Sequence, residues 1–354
     1  MLKTKNVVYI VWNENPGGLE KVLTYYPANL NKYDTRLFVL RPNKRGVEIF
    51  PEGMFTQKIV GSQNNIRLYF KLFNFALKNQ HSIYHLLNAG PLVLLLLKLA
   101  GCKNILYHIH GTIYWKKKLL KTPTRLAWKF ALSKNVKLLA NSTFSKKMFL
   151  ERANGNYAVN VIYNPFDPPV NKTKEGVIND DTMSVFYVGR LIQGKNLFQW
   201  IDIAGQLVNK IPEASFHWYG KGRLEEELKN YVDKKGIEKK FFFHGYLKDI
   251  SQAYAKHDLL LFLSEYESFG NVVVESILQG TPVLAKPIPS IQEIFTDYPE
   301  FLLNEEEDYA TQVISKLKRY LDLKKVALQA QKDFEVRFSL ENHLGKIKEL
   351  YEKL

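Results

Sequence analysis

Two hydrophobic periodicities alternate along the chain. Short apolar runs rich in β-branched residues occupy 7–12, 35–40, 82–86, 104–109 and 136–140, and read as strands. Between them, 18–30, 64–79, 91–100, 122–133 and 142–152 carry helical spacing. The pattern breaks at Asn164-Pro165-Phe166-Asp167-Pro168-Pro169 and a polar stretch runs on to Asp181, which predicts an interdomain linker there. A second series follows, with strands at 183–188, 215–219, 240–243, 259–263 and 282–285. Its helices are predicted at 196–209, 223–234, 250–256 and 271–279. Val272-Val273-Val274 alone would suit a strand, but Gly280-Thr281-Pro282 supplies a helix-ending glycine and then a proline. The tail from Tyr309 reads as helices with a break near Phe338-Ser339. Strands alternating with helices predict parallel sheets covered on both faces, and in such sheets ligands bind beyond the carboxyl ends of the strands.

Composition changes this picture little, but charge changes it. A chain of 354 residues, 46% hydrophobic and 24% charged, is that of a two-domain soluble protein. The single cysteine, Cys102, excludes an intramolecular disulfide framework and a cysteine metal cluster, and fits a reducing cytosol. The N-terminus lacks a signal-peptide pattern, and the most apolar stretch, 92–100, is half a bilayer span and reads as a buried helix. Residues 1–165 hold 25 Lys+Arg against 6 Asp+Glu, while the remainder holds 25 against 29. A basic half suggests an anionic partner: nucleic acid, an anionic bilayer or a phosphorylated acceptor.

The chemistry concentrates in the second half. A strand runs into Gly189-Arg190-Leu191-Ile192-Gln193-Gly194-Lys195-Asn196 and then an apolar helix. Glycines permit close backbone approach, and Arg190 and Lys195 place two cations beside a helix N-terminus, which suits a diphosphate. The spacing also fits a P-loop, G-x4-G-K, except that Asn196 stands where a Mg²⁺-binding hydroxyl belongs. Downstream, Ser264-Glu265-Tyr266-Glu267-Ser268-Phe269-Gly270-Asn271 leads to Glu275. If Gly270 opens a helix, its first N–H groups can hold a phosphate and Glu275 can accept hydrogen bonds from ribose hydroxyls. His108 and His110 lie two apart on one strand; no third metal ligand stands near them in sequence, so His108 reads as structural and His110, at the strand end before Gly111, as a site residue.

Together these pieces resemble the GT-B glycosyltransferases of family 4, retaining enzymes of the glycosyl transferase group 1 type. The resemblance rests on Gly17-Gly18, His110-Gly111, Val161-Ile162-Tyr163-Asn164-Pro165, Val188-Gly189-Arg190…Lys195-Asn196, Tyr219-Gly220-Lys221-Gly222, His244-Gly245-Tyr246 and the E-x7-E of Glu267 to Glu275. It implies an α/β chain of two doubly wound, Rossmann-like domains facing across a cleft. Residues 1–165 would form the acceptor-side domain, with a C-terminal helix at about 340–354 packing back on it, and 180–335 the donor-binding domain. It further implies transfer of a hexose or N-acetylhexosamine from a nucleotide diphosphate sugar, most commonly a UDP-sugar, to a glycan or lipid-linked glycan in bacterial surface polysaccharide synthesis.

By the same resemblance, Arg190 and Lys195 neutralise the donor diphosphate without a metal or any cofactor, in keeping with the absence of a D-x-D triplet. Glu267 contacts the donor sugar and Glu275 the ribose. The Ser268-Phe269-Gly270-Asn271 segment meets sugar and phosphates through its backbone amides, Gly18 presents its amide to the diphosphate, and His110 faces the sugar. Tyr246 and the turn at Gly220 border the base. The chain departs from the family's pattern at Asn164-Pro165 and at Pro287-Ile288-Pro289-Ser290-Ile291-Gln292-Glu293, so Glu293 is left out of the site.

Trp115–Lys121, Arg125, Trp128 and Lys129, and a second group at Lys146, Lys147, Met148 and Phe149, interleave cations with apolar residues. That composition predicts a cytoplasmic protein in peripheral contact with the inner face of an anionic membrane, against a plain solvated basic face. No nucleic-acid recognition motif accompanies the charge. A Mg²⁺-dependent P-loop nucleotide hydrolase and a basic nucleic-acid-binding protein are the readings from other classes. A dinucleotide oxidoreductase is disfavoured, because Asn15-Pro16-Gly17-Gly18 lacks G-x-G-x-x-G.

Overall fold

A computed structural model describes residues 5–14, 17–41, 49–61, 66–111, 129–132, 136–153, 155–167, 183–247 and 249–354. The chain divides into two compact units, Met1–Pro165 with Leu340–Leu354, and Phe166–Ser339.

The first unit is built on a seven-stranded sheet in the order β3-β2-β1-β4-β5-β6-β7. Its strands are β1 (Asn6–Asn13), β2 (Asp34–Arg41), β3 (Gln57–Val60), β4 (Ile83–Leu87), β5 (Ile105–Ile109), β6 (Val136–Ala140) and β7 (Val159–Val161). Every pairing is parallel, with Val7 opposite both Thr35 and Ile83 at the centre. Alternation along β1 sends Val8 and Ile10 into one core and Val7, Tyr9 and Val11 into another. Helices Ile66–Lys78, Pro91–Leu99 and Thr143–Ala153 cover the first face. Helices Gly18–Asn29 and Leu340–Glu352 cover the second, where Leu344, Ile347 and Tyr351 from the end of the sequence are buried.

The second unit holds a five-stranded parallel sheet in the order β10-β9-β8-β11-β12. Its strands are β8 (Ser184–Val188), β9 (Ser215–Tyr219), β10 (Phe241–Gly245), β11 (Leu259–Phe262) and β12 (Val283–Ala285). Its helices are Leu197–Val208, Glu225–Lys234, Ser251–Lys256, Asn271–Leu278, Pro289–Ile294, Tyr309–Leu317 and Tyr320–Arg337. Phe166 N donates to Phe338 O at 3.0 Å, which closes the unit where the chain enters and leaves it. Gly280, at φ 68°, ends the Asn271–Leu278 helix in the left-handed conformation that favours glycine. The three valines of that helix fill a buried face, so tertiary packing overrides their β preference.

Several expectations are corrected. β3 and β7 escape the pattern because each is short and mixes polar residues into an edge position. The Pro289–Ile294 helix was hidden by its flanking prolines, one of which fits its first turn. Pro91–Leu99 is not buried all round: Val93, Leu94 and Leu97 enter the core, but Leu92 and Leu99 face solvent. Phe149 belongs to the core beside Tyr107, so its group of lysines is not interleaved with an exposed aromatic ring. The stretches 115–121 and 125–128, most of the 122–133 helix, Asn15-Pro16 and linker residues 168–181 lie outside the described residues. Among the described residues no helix is long and apolar enough to cross a membrane.

Candidate active site

At the carboxyl ends of β8, β9 and β10 the backbones converge. Gly189 N donates to Tyr219 O at 2.9 Å, and Gly220 N to Gly245 O at 2.7 Å. A Cβ on Gly220 would lie 1.8 Å from the Gly189 carbonyl oxygen, so no other residue fits without moving backbone. From this junction the chain turns through Arg190, whose side chain is exposed. Its carbonyl accepts a 3.0 Å hydrogen bond from the buried Tyr187 hydroxyl. Burial and the nearby Glu267 carboxylate push the Tyr187 phenol pKa up, which keeps it a donor.

The turn ends at Gly194, Lys195 and Asn196. Asn196 caps the Leu197–Val208 helix in the left-handed conformation, φ 52°, which asparagine tolerates better than other side chains. A second loop meets this one: Glu265 N donates to Gly194 O at 2.9 Å, and the Lys195 ammonium pairs with the Glu267 carboxylate. Beyond Glu267, Phe269 is buried against Phe166 and Phe338, which takes its ring out of reach of a ligand. Gly270, at φ 113°, then caps the Asn271–Leu278 helix and has no side chain of its own to bond the first N–H groups. One turn in, the Glu275 carboxylate accepts a 2.7 Å hydrogen bond from the buried Tyr254 hydroxyl. The second unit therefore gathers Arg190, Lys195, Glu267, Ser268, Gly270, Asn271 and Glu275 on two interlocked loops and one helix start. Tyr246 stands exposed after β10, two strands from that turn, and Gly220 lies in the β9 turn between them.

In the first unit, Gly18 opens the Gly18–Asn29 helix behind an extended Gly17. His110 follows β5, its backbone N–H held by the Asn88 side chain at 3.0 Å. Its ring lies 3.9 Å from that of His108, centroid to centroid. Both His110 ring nitrogens are buried without a hydrogen-bond partner among the described residues. His108 in turn lies 3.3 Å from His85, and His85 is bonded to the Tyr351 hydroxyl at 2.7 Å. His343 donates through Nδ1 to the Tyr163 carbonyl, which leaves Nε2 to accept from Tyr26. Burial first, and His343 second, push the His110 pKa down to about 3, so the ring is neutral near pH 7.

Residues 171–334 match the family described as Glycosyl transferases group 1. The second unit is a group 1 glycosyl transferase domain. Over 82% of its length the chain is 26% identical to an uncharacterized 41.2 kDa protein of the cps region of Klebsiella pneumoniae, 84% of which is covered. It is also 26% identical to the Vi polysaccharide biosynthesis protein VipC/TviE of Salmonella typhi, over 52% of this chain and 35% of that longer protein. The crystal structure of Anabaena Alr3699/HepE with UDP and glucose superposes with a TM-score of 0.80 at 20% identity, covering 99% of this chain and all of the other. The fold of the chain is thus GT-B, two doubly wound α/β units.

Within the group 1 domain, reading the sequence missed Tyr187, Tyr254 and the buried hydroxyl of Ser264. The Ser264 hydroxyl is buried, has no partner among the described residues and stands at the start of the loop after β11. Tyr187 sits in an apolar strand and Tyr254 between two alanines of a short helix, so neither stands out by itself; only their partners, brought close by folding, give them a role. For Ser264, its place directly after an apolar strand and before Glu265 was the available signal. The P-loop reading fails on geometry: Lys195 precedes the helix, and the left-handed Asn196 offers no hydroxyl for Mg²⁺.

Proposed function

We propose that the chain is a retaining, metal-independent glycosyltransferase of family 4 that moves a hexose or N-acetylhexosamine from a UDP-sugar to a glycan or lipid-linked glycan acceptor. The reading is carried by one observation: the Arg190–Lys195 turn is tied to the Glu267 loop and the Gly270-capped helix start. Two cations and a row of backbone amides therefore converge beside two carboxylates. Such a site is built to hold a diphosphate next to hydroxyl groups.

As the anomeric carbon exchanges a diphosphate oxygen for an acceptor oxygen, negative charge gathers on the departing diphosphate. Arg190 and Lys195 stabilise that charge from fixed positions, so little reorganisation is needed during reaction. Lys195, paired with Glu267 before donor arrives, passes to the phosphates, and Glu267 is released to the sugar hydroxyls. Glu275, aimed by Tyr254, takes the ribose, and Tyr246 and the turn at Gly220 border the base. In the first unit, Gly18 offers a helix N-terminal amide and His110 a neutral imidazole to the donor. The relatives, a Vi polysaccharide biosynthesis protein and a protein of a cps region, support surface polysaccharide as the product class. The basic first half supports a cytoplasmic enzyme in peripheral contact with an anionic membrane.

The test measures transfer from a panel of nucleotide sugars by wild type, Arg190→Ala and Lys195→Ala, with and without chelator. Each substitution is expected to lower kcat by roughly 100-fold or more, the scale for losing one fixed transition-state donor. Chelator should leave the wild type active. Full activity in either variant removes the diphosphate assignment, and loss of wild-type activity with chelator removes metal independence.

A further inference from the structure

Residues 53–150 contain 16 Lys and Arg and no Asp or Glu. Two helices of this acid-free stretch show the same unusual face. Ile66–Lys78 buries Leu68, Leu72 and Ala76, while Ile66 and Phe70 are 70% and 62% exposed and Leu77 also faces water. Positions 66, 70 and 77 fall on one ridge of an α-helix. The next ridge carries Arg67, Lys71 and Lys78, all exposed. Pro91–Leu99 is fixed through Val93, Leu94 and Leu97 in the same core, and it turns Leu92 and Leu99 outward, the latter 67% exposed. Gln80 donates to the Ala100 carbonyl at 2.7 Å, joining the C-terminal ends of the two helices. Lys98 donates to the carbonyl of Phe130, another exposed ring, at 3.0 Å.

Single exposed apolar side chains are ordinary, but ridges of them beside a cationic ridge, without one acidic residue, are the pattern of a helix lying in a membrane interface. We propose that this two-helix face seats the protein on an anionic bilayer, with Ile66, Phe70, Leu77, Leu92 and Leu99 at the acyl boundary and Arg67, Lys71 and Lys78 among the headgroups. The inference rests on the membrane contact proposed above and assigns it to these helices. A nucleic acid would satisfy the cations but leave the Ile, Phe and Leu ridge in water. A second copy would oppose two strongly cationic faces. Only an anionic lipid surface answers both ridges, because lysine and arginine stems reach past apolar side chains to the headgroups.

The full chain is tested by co-sedimentation with vesicles rich in phosphatidylglycerol, against vesicles of phosphatidylcholine alone. Binding to the anionic vesicles is expected. Phe70→Ser/Leu77→Ser/Leu99→Ser should weaken it by roughly tenfold or more, and Arg67→Gln/Lys71→Gln by about fivefold per charge. Wild-type protein that ignores anionic vesicles overturns the proposal. So does a serine variant that binds as the wild type does, which would place the contact elsewhere. A wild-type dimer that the serine variant splits, or selective retention on duplex DNA without vesicle binding, would give the face to another partner and overturns it too. Should the triple variant fail to fold, Leu77→Cys carrying an environment-sensitive dye replaces it, since Cys102 is buried. A blue shift on anionic vesicles is expected, and emission unchanged from water overturns the assignment. Sugar transfer to a soluble acceptor, retained by a variant that no longer binds vesicles, separates failure here from failure of the proposed activity.

Discussion

The hydroxyl of Tyr254 offers the sharpest test of the donor half-site. Tyr254→Phe removes one oxygen from a ring in the core and leaves its packing unchanged. That oxygen donates to the Glu275 carboxylate at 2.7 Å, and hydrogen bonds to charged groups contribute roughly 1.5–3 kcal/mol. Glu275 is only half-buried, so water recovers part of this, and about 1 kcal/mol is expected to reach donor binding. That corresponds to about fivefold weaker binding of UDP by titration calorimetry. An unfolding midpoint lower by about 2–4 °C is expected for a unit of this size. Glu275→Ala removes the ribose acceptor itself and should weaken UDP more, by roughly tenfold or above. On that background Tyr254→Phe should cost nothing further, giving a coupling energy of about 1 kcal/mol. If Tyr254→Phe lowers the melting temperature yet binds UDP like the wild type, the tyrosine is only structural. If the two penalties add in full, Tyr254 does not act through Glu275.

Gly220→Ala forces two backbones apart, because its Cβ would sit 1.8 Å from the Gly189 oxygen. A shift of about 1 Å at Arg190 is expected to slow transfer by roughly 100-fold. Gly205→Ala is the matched control, with nothing within 4 Å inside a helix, and should raise stability by about 0.5–1 kcal/mol. Burial holds His110 and His343 neutral, pushing their pKa values down to about 3 and about 4. Below the ordinary value of about 6.5 the unfolded chain therefore binds these protons before the native state does. Stability is full above that value and falls as the pH drops toward 4, at up to about 1.4 kcal/mol per pH unit for each ring. Urea midpoints measured at about pH 7 and about pH 5 check this, and equal values would refute it.

What the sequence revealed, and what it hid, follows from how each role is encoded. Gly189, Gly220 and Gly270 were legible because close approach and positive φ can be met by very few residue types. Lys195 and Glu267 stood out as charges in loops that follow strands, and Glu275 as an acid inside an apolar helical run. Tyr254 and Tyr187 were not, since a buried tyrosine looks alike whether its hydroxyl meets a carboxylate or a carbonyl. The Pro91–Leu99 helix misled for the opposite reason: leucine on every side carries no periodicity, so nothing distinguished the face that enters the core from the one that meets solvent. β3 and β7 fell below the length at which alternation can be counted.

The Leu340–Glu352 helix bears on the order in which the molecule can be made. Val7, Tyr9 and His85 leave the ribosome early, but the Leu344, Ile347 and Tyr351 side chains that complete their core emerge only after the whole second unit has been translated. At ordinary rates of synthesis that interval is about 10–40 s. Until then the first unit carries an uncovered apolar face, His85 lacks the Tyr351 hydroxyl and Tyr26 lacks the His343 ring. The half that is translated first is thus the half whose core stays incomplete longest. A stop codon anywhere in the second unit would leave that half unfinished as well.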